Sequence, residues 1–182
     1  MGRESLVTSD ATGDRTEPFG KLFREFVAPV RGFVRSLVSD ADVEPVVHAT
    51  FETAWSKFDA IPLLSQRAWL FGVARNHVKN HVRSERRREL LIDAIISSRP
   101  EGEVELFADE VDAVRLGPIL AALDQLTEGE RELIQLLAWH EMSPSEIAIV
   151  LGISSNSARV RVHRARTRLG SIVQGQNGRA KR

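Results

Sequence analysis

The 182-residue chain contains no cysteine. That absence removes disulfides, thiolate metal ligands and thiol nucleophiles together, and it makes a cytoplasmic location the expectation. Long apolar runs are also missing: "LLIDAII" at 90–96 is among the longest, far short of the ~20 residues that a membrane-spanning helix needs. The polar N-terminus carries no signal-peptide pattern, and Leu6 stands where a myristoylation motif requires Ser or Thr. Neither a glycine-rich phosphate loop nor a nucleophile motif occurs, so the chain is expected to be no enzyme, to hold no cofactor and to bind no metal. Strand-like alternation and internal repeats are absent too. The expectation is therefore a soluble, all-helical intracellular protein without membrane insertion, and 182 residues suffice for one ordinary domain or two small ones.

Net charge is a further absence, since Lys plus Arg equals Asp plus Glu at 25 each. The balance comes from opposed segments. Arg67 to Arg88 holds seven Lys/Arg against one acid, Glu89 to Asp112 holds eight acids against one Arg, and Ile153 to the end holds eight Lys/Arg with no acid. The order is basic, acidic, basic.

Residues 1–16 have little apolar content and no period, which predicts a disordered tail. From Phe19, apolar residues recur at steps of three and four through Leu37, the period of a helix face, with Pro29 expected to bend or divide that helix. A second helix is expected from Asp42 as N-cap, with Pro45 still in its first turn, to about Phe58. Past the connector containing Pro62, a third helix sets Trp69, Leu70, Val73, Ala74, His77 and Val78 on one side and ends in "RSERRR". The acidic stretch 89–112 is expected to be a flexible linker with a possible short helix, "ELLIDAII", before Pro100 and Gly102.

The second half is more strongly punctuated. Thr127 with Glu130, and Ser143 with Pro144 and Glu146, read as two capping boxes; Gly152 ends a short helix, and Ser154 or Ser155 opens the next. The run "SPSEIAIVLGISSNSARVRVHRARTRL" thus reads as a helix-turn-helix. Ala158, Val162, Ala165 and Leu169 fall on the buried side of its second helix. Asn156, Val160, His163, Arg164 and Thr167 fall opposite, flanked by Arg159 and Arg166 on one side and Arg161 and Arg168 on the other. Such a helix suits a major groove, where phosphates border a row of base edges. The earlier stretch "RAWLFGVARNHVKNHVRSERRR" interleaves Trp69 and Phe71 with Arg75, Asn76, Lys79, Asn80 and Arg83. Aromatics beside cations can stack on unpaired bases, although the periods of Trp55 and Trp69 also fit a core.

With both basic blocks in view, the chain resembles a small two-domain sigma factor of the extracytoplasmic-function group in the sigma-70 family. "PVRGFVRSLVSDADVEPVVHATFETAWSKFD" with the basic helix resembles region 2, and "LGPILAALDQLTEGERELIQLLAWHEMSPSEIAIVLGISSNSARVRVHRARTRL" resembles region 4. The implied organisation is all-α: a region 2-like helical bundle over 17–88, the acidic linker over 89–112, a region 4-like helix-turn-helix domain over 113–172 and a basic tail over 173–182. The resemblance implies binding to core RNA polymerase, at its clamp and flap, and to promoter DNA, with an anti-sigma factor as an optional partner. By position it assigns the clamp contact to Asp42, Glu44, His48, Phe51, Glu52 and Trp55. It assigns −10 strand contact to the connector 59–66 with Arg75, Asn76, Lys79, Asn80 and Arg83. The −35 duplex falls to Ser155, Asn156, Arg159, Val160, Arg161, His163, Arg164, Arg166, Thr167 and Arg168. The chain departs from the family in the clamp-facing helix, where Pro45, His48 and Ala49 replace an acidic residue and a Gln-Glu pair. It departs again at Val160, where a small polar residue is common.

Other readings compete. An operator-binding regulator would use the helix-turn-helix without polymerase, and a sigma-fold interaction protein would keep the fold without initiating transcription. A metalloenzyme is disfavoured: His77 and His81 in "HVKNH" share helical spacing, but Val78 occupies the place of the general-base Glu and cations surround the pair.

Overall fold

The computed structural model describes residues 15–93 and 121–179, with side chains except at 89–93 and 176–179. Every regular element among the described residues is helical. Helix α1 spans Thr16–Arg35, with Glu17 in its first turn and Arg35 in its last, each charge opposing the end of the helix dipole that it faces. Leu22, Val30, Phe33 and Val34 form its buried stripe. Pro29 neither divides nor ends it, because the proline lies on the exposed side, where water can solvate the carbonyl left without a donor.

Helix α2 spans Asp40–Ser56 and begins two residues ahead of the expected cap. Ser39 is the N-cap, and its hydroxyl donates to the Asp42 carboxylate at 2.6 Å instead of closing on the backbone. Asp40 and Asp42 both fall in the first turn, where negative charge suits the exposed amides. Pro45 consequently sits inside the helix and not in its first turn, and its exposed position again makes the missing donor tolerable. Val43, Val46, Val47, Thr50, Phe51 and Ala54 face inward, Thr50 satisfying its hydroxyl on the Val46 carbonyl at 2.7 Å.

Two short 3-10 turns, Phe58–Ala60 and Leu63–Ser65, carry the chain around Pro62 into α3, Gln66–Asp93. At 28 residues this helix is ~42 Å long. It buries Ala68, Leu70, Phe71, Ala74 and Val78. No described side chain beyond Val78 on this helix is buried. The "RSERRR" end projects as a charged arm, and the helix continues through Asp93, five residues into the segment expected to be linker. The remainder of that linker lies outside the described residues, as do residues 1–14 of the expected tail; Arg15 and Thr16, the last two of that tail, instead lead into α1.

The second half starts with a helical end at 121–123 and continues as α4 (Glu128–Ala138), α5 (Pro144–Leu151) and α6 (Ser155–Arg179). Both expected capping boxes are present, with the backbone amides of Glu130 and Glu146 donating to Thr127 and Ser143. Gly152 takes the left-handed conformation, φ 64, that lets the chain turn sharply from α5 into α6. Ser154 caps α6 by accepting from the Ser157 amide at 3.2 Å. The helix then runs on to Arg179, so 173–179 is helix and not tail; 180–182 lie outside the described residues.

The two halves share one continuous core. Helix α5 packs against α3. Gly72 makes the close approach there: a Cβ built on it would meet the Val150 carbonyl oxygen at 3.5 Å and the Ile149 carbonyl oxygen at 3.6 Å. Beside it Phe33 stacks on Phe71, centroids 4.7 Å apart. The His140 ring meets these two edge-on, at 5.4 and 5.1 Å respectively.

Candidate nucleic-acid interface

The orientation of the basic helix α6 is set by its own buried side. Ala158, Val162 and Ala165 are buried, and Leu169 packs partly buried against the core. The two alanines allow α6 to lie close beneath α4 and α5, which turns its remaining faces to solvent. Ser155, Asn156, Arg159, Val160, Arg161, His163, Arg164, Arg166, Thr167 and Arg168 are all exposed. The structure therefore brings the ten expected side chains onto one accessible surface of one helix. Val160 is 42% exposed in the middle of this face, an apolar side chain held out among cations. Thr167 donates its hydroxyl back to the His163 carbonyl at 3.0 Å. Arg168 lies 3.5 Å from Glu130 of α4, so this one arginine is partly neutralised within the domain. The Thr127 amide and hydroxyl, with Arg168 as a weaker influence, hold the Glu130 carboxyl below its ordinary range.

On α3, the expected strand-contact residues divide. Asn76, Lys79, Asn80 and Arg83 are exposed. Arg75 is not free: its guanidinium forms a bidentate pair with the Glu132 carboxylate, Nη2 to Oε2 being 2.8 Å. Their side chains are only 15% and 18% exposed. The pair lines a cleft of about 810 Å³ between α3 and α4, together with Val78, Lys79, Val82 and Arg83. Phe71 is fully buried against Phe33 and cannot stack on a base in this arrangement. Trp69 packs partly buried against the core. Ahead of α3, the connector holds Leu63 and Leu64 almost entirely in water, 84% and 103% exposed, next to buried Ile61.

The clamp-facing set on α2 divides as well. Glu44, His48 and Glu52 are exposed, with His48 Nδ1 3.8 Å from Glu52. Glu44 is engaged by Arg31, which holds its carboxyl below the usual range. Phe51 is 5% exposed and belongs to the core, where it meets Phe19 and Phe23 edge-on; it offers no surface for a partner. Trp55 is partly covered by Phe19 at 4.9 Å. Asp42 is tied to the Ser39 hydroxyl and to His81 at 3.1 Å, and its pKa is lowered first by the former.

The histidine pair of "HVKNH" is split between separate partners: His77 Nε2 pairs with the Thr53 hydroxyl at 2.9 Å, while His81 faces Asp42. Among the described residues no group of three or more potential ligands converges on a metal site. No helix of the described residues is long and apolar enough to cross a membrane.

Sequence reasoning missed Glu132, Arg67 and His140. Arg67 donates to the His140 carbonyl and lies over the Phe71 ring, its guanidinium carbon 5.7 Å from the centroid. No local pattern links positions 67 and 75 to 140 and 132, because each of these contacts spans more than fifty residues of chain.

A helical bundle with a basic arm, packed against a helix-turn-helix with an arginine-flanked exposed face, has the form of a nucleic-acid-binding protein. The comparisons identify the family. Residues 22–88 match the Sigma-70 region 2 model and residues 116–169 match the Sigma-70, region 4 model. The RNA polymerase sigma factor NccH of Alcaligenes xylosoxydans xylosoxydans is 32% identical, over 94% of each chain. CnrH of Cupriavidus metallidurans is 28% identical over 96% of each, and the ECF RNA polymerase sigma factor SigL of Mycobacterium tuberculosis is 34% identical over 79% of this chain and 82% of that one. Two solved structures are similar. The sigma factor RpoE in complex with the anti-sigma factor NepR from Bartonella quintana gives a TM-score of 0.66 at 27% identity, over 87% of this chain and 98% of that one. CnrH in complex with the cytosolic domain of CnrY gives 0.59 at 27%, over 91% and 93%. The chain belongs to the sigma-70 family of RNA polymerase sigma factors, in its extracytoplasmic-function group.

Proposed function

We propose that the chain gives core RNA polymerase its promoter specificity in the cytoplasm, without catalysing a reaction itself. The residues divide the work by position. The region 4-like domain, 113–172, lays α6 in the major groove of the −35 element. Arg159, Arg161, Arg166 and Arg168 hold phosphates there, while Asn156, Val160, His163 and Arg164 face base edges. The region 2-like domain, 17–88, holds polymerase through the exposed Glu44, His48 and Glu52 of α2, with Asp42 and Trp55 at the margins. Asn76, Lys79, Asn80 and Arg83, with Arg75 once released from Glu132, take the opened −10 strand; the exposed Leu63–Leu64 turn lies beside it, where apolar side chains can wedge between bases.

The observation that carries this reading is that region 2 and region 4 matches occur in order on one chain, with the second presenting an unobstructed basic helix. An anti-sigma factor is a further partner, supported by the RpoE–NepR and CnrH–CnrY complexes. The test is multi-round transcription from a random-promoter pool with bacterial core polymerase, with and without the protein. New transcripts that share two upstream motifs at fixed spacing are expected. No new transcripts, with duplex binding intact, would replace this reading with an operator-binding regulator and make Pro45, His48 and Ala49 the first positions to revert.

A further inference from the structure

Arg168 differs from Arg159, Arg161, Arg164 and Arg166 of the same helix in having a carboxylate at ion-pair distance among the described residues: its Nε lies 3.5 Å from Oε2 of Glu130. That oxygen is already fixed. It accepts from the Thr127 amide at 3.0 Å, which is one half of the α4 capping box, and from the Thr127 hydroxyl at 2.8 Å. The neighbouring Arg131 does not compete for it, since that side chain donates to the Leu123 carbonyl at 3.2 Å and lies 3.5 Å from Asp124. The Arg168 side chain stays 54% exposed against 24% for Glu130, which leaves the end of the guanidinium open to solvent.

A glutamine closes a capping box as well as a glutamate does, so the cap alone does not account for the charge at position 130. A negative charge beside a phosphate-facing arginine is also unfavourable to nucleic acid, because it repels the phosphate. What a fixed carboxylate does supply is order. A long side chain loses rotamer freedom when a ligand immobilises it, and an arginine already held at Nε presents the rest of its planar fork of donors in a set direction.

We propose that Glu130 is a positioning residue for DNA binding: its capping-box carboxylate holds Arg168 at Nε, so that the terminal guanidinium nitrogens meet a backbone phosphate at the far end of the exposed face of α6. Glu130 itself touches no DNA. The inference rests on the assignment of α6 to the duplex with Arg168 on a phosphate. It makes the first turn of α4 part of the DNA-binding apparatus.

Positioning and simple electrostatics predict opposite signs for Glu130→Gln, which keeps the cap and removes the charge. Losing a negative charge near DNA by itself tightens binding, whereas releasing Arg168 weakens it. The affinity of the full chain is measured across a salt series, on a fluorescent duplex that the native chain has enriched from a random pool. Glu130→Gln should weaken binding several-fold and lower the slope of log affinity against log salt by up to about 0.9, the loss of one phosphate contact. Arg168→Ala should do the same, and Glu130→Gln added to Arg168→Ala should weaken binding no further. Unchanged or tighter binding of Glu130→Gln would overturn the proposal. So would a loss of equal size in both backgrounds, which is the signature of damage to the fold and not of action through Arg168. Arg161→Ala separates failure of the proposal from failure of the reading beneath it. A reduced slope for Arg161→Ala with none for Arg168→Ala keeps α6 on the duplex and removes the tether; an unchanged slope in both takes α6 off the phosphates as well.

Discussion

Val160 occupies a position where chemistry can be read from one side chain. Between guanidinium groups that suit phosphates, an isopropyl group has no hydrogen bond to offer and complements the methyl of thymine. Replacing thymine by uracil in the selected −35 duplex, one position at a time, should weaken binding at one position for the native chain and at none for Val160→Ala. A uniform response would take Val160 off the base-reading face. Arg159→Ala and Arg164→Ala should each cost ~1–3 kcal/mol and relax specificity if they reach bases; a loss spread evenly over all sequences would make them phosphate contacts. These exposed residues were legible in the sequence because an alanine-lined helix repeat fixes its opposite face. Phe51 and Phe71 were not: an aromatic on a basic or partner-facing helix has the same periodicity whether it is core or contact, and only packing separates the two.

Elements were most legible where local hydrogen bonds define them. The capping boxes at Thr127 and Ser143 close within four residues, so sequence alone specifies both starts, and Ser143→Ala should cost ~1 kcal/mol in thermal or denaturant unfolding. A loss indistinguishable from zero would mean that the α5 start is held by packing alone. Asp42 and Pro45 misled for a physical reason. The first turn of α2 contains two acids and an exposed proline, each compatible with a cap, yet the helix starts earlier because Ser39 bonds Asp42 and the apolar stripe from Val43 inward is already helical. The ends of α3 and α6 were equally hidden: each helix runs on from a charged stretch, 83–88 and 159–168, into a segment whose composition had suggested a linker or a tail.

At the scale of the whole molecule, the docking of one half on the other could not be read from the sequence, since its contacts are long-range and use a glycine, a carbonyl and one ion pair. Two histidines, His140 at this junction and His77 beside Thr53 within the first half, have a consequence in solution. Burial, reinforced at His140 by Arg67, lowers the pKa values of His77 and His140 in the folded chain, while Glu52 opposes the effect at His77. The unfolded histidines titrate at about 6.5. As pH falls through that value the unfolded chain takes up protons that the folded chain refuses, so stability is fully present above it and declines towards pH 5. Asp42, Glu44 and Glu130, with lowered carboxyl pKa values, act in a separate, more acidic window. Denaturant midpoints between pH 5 and 7.5 should fall on acidification, and the double substitution His77→Gln, His140→Leu should flatten the slope. An unchanged slope in that variant would assign the effect elsewhere.

The absent side chain at Gly72 has a quantitative corollary. A Cβ there would still meet residues 149–150 at ordinary van der Waals distance, so alanine fits, while each further carbon must displace backbone. Position 72 is therefore a volume dial. A series from Ala through Val to Leu should loosen the docking of α5 on α3 by degrees, leaving every exposed residue of α6 as it is.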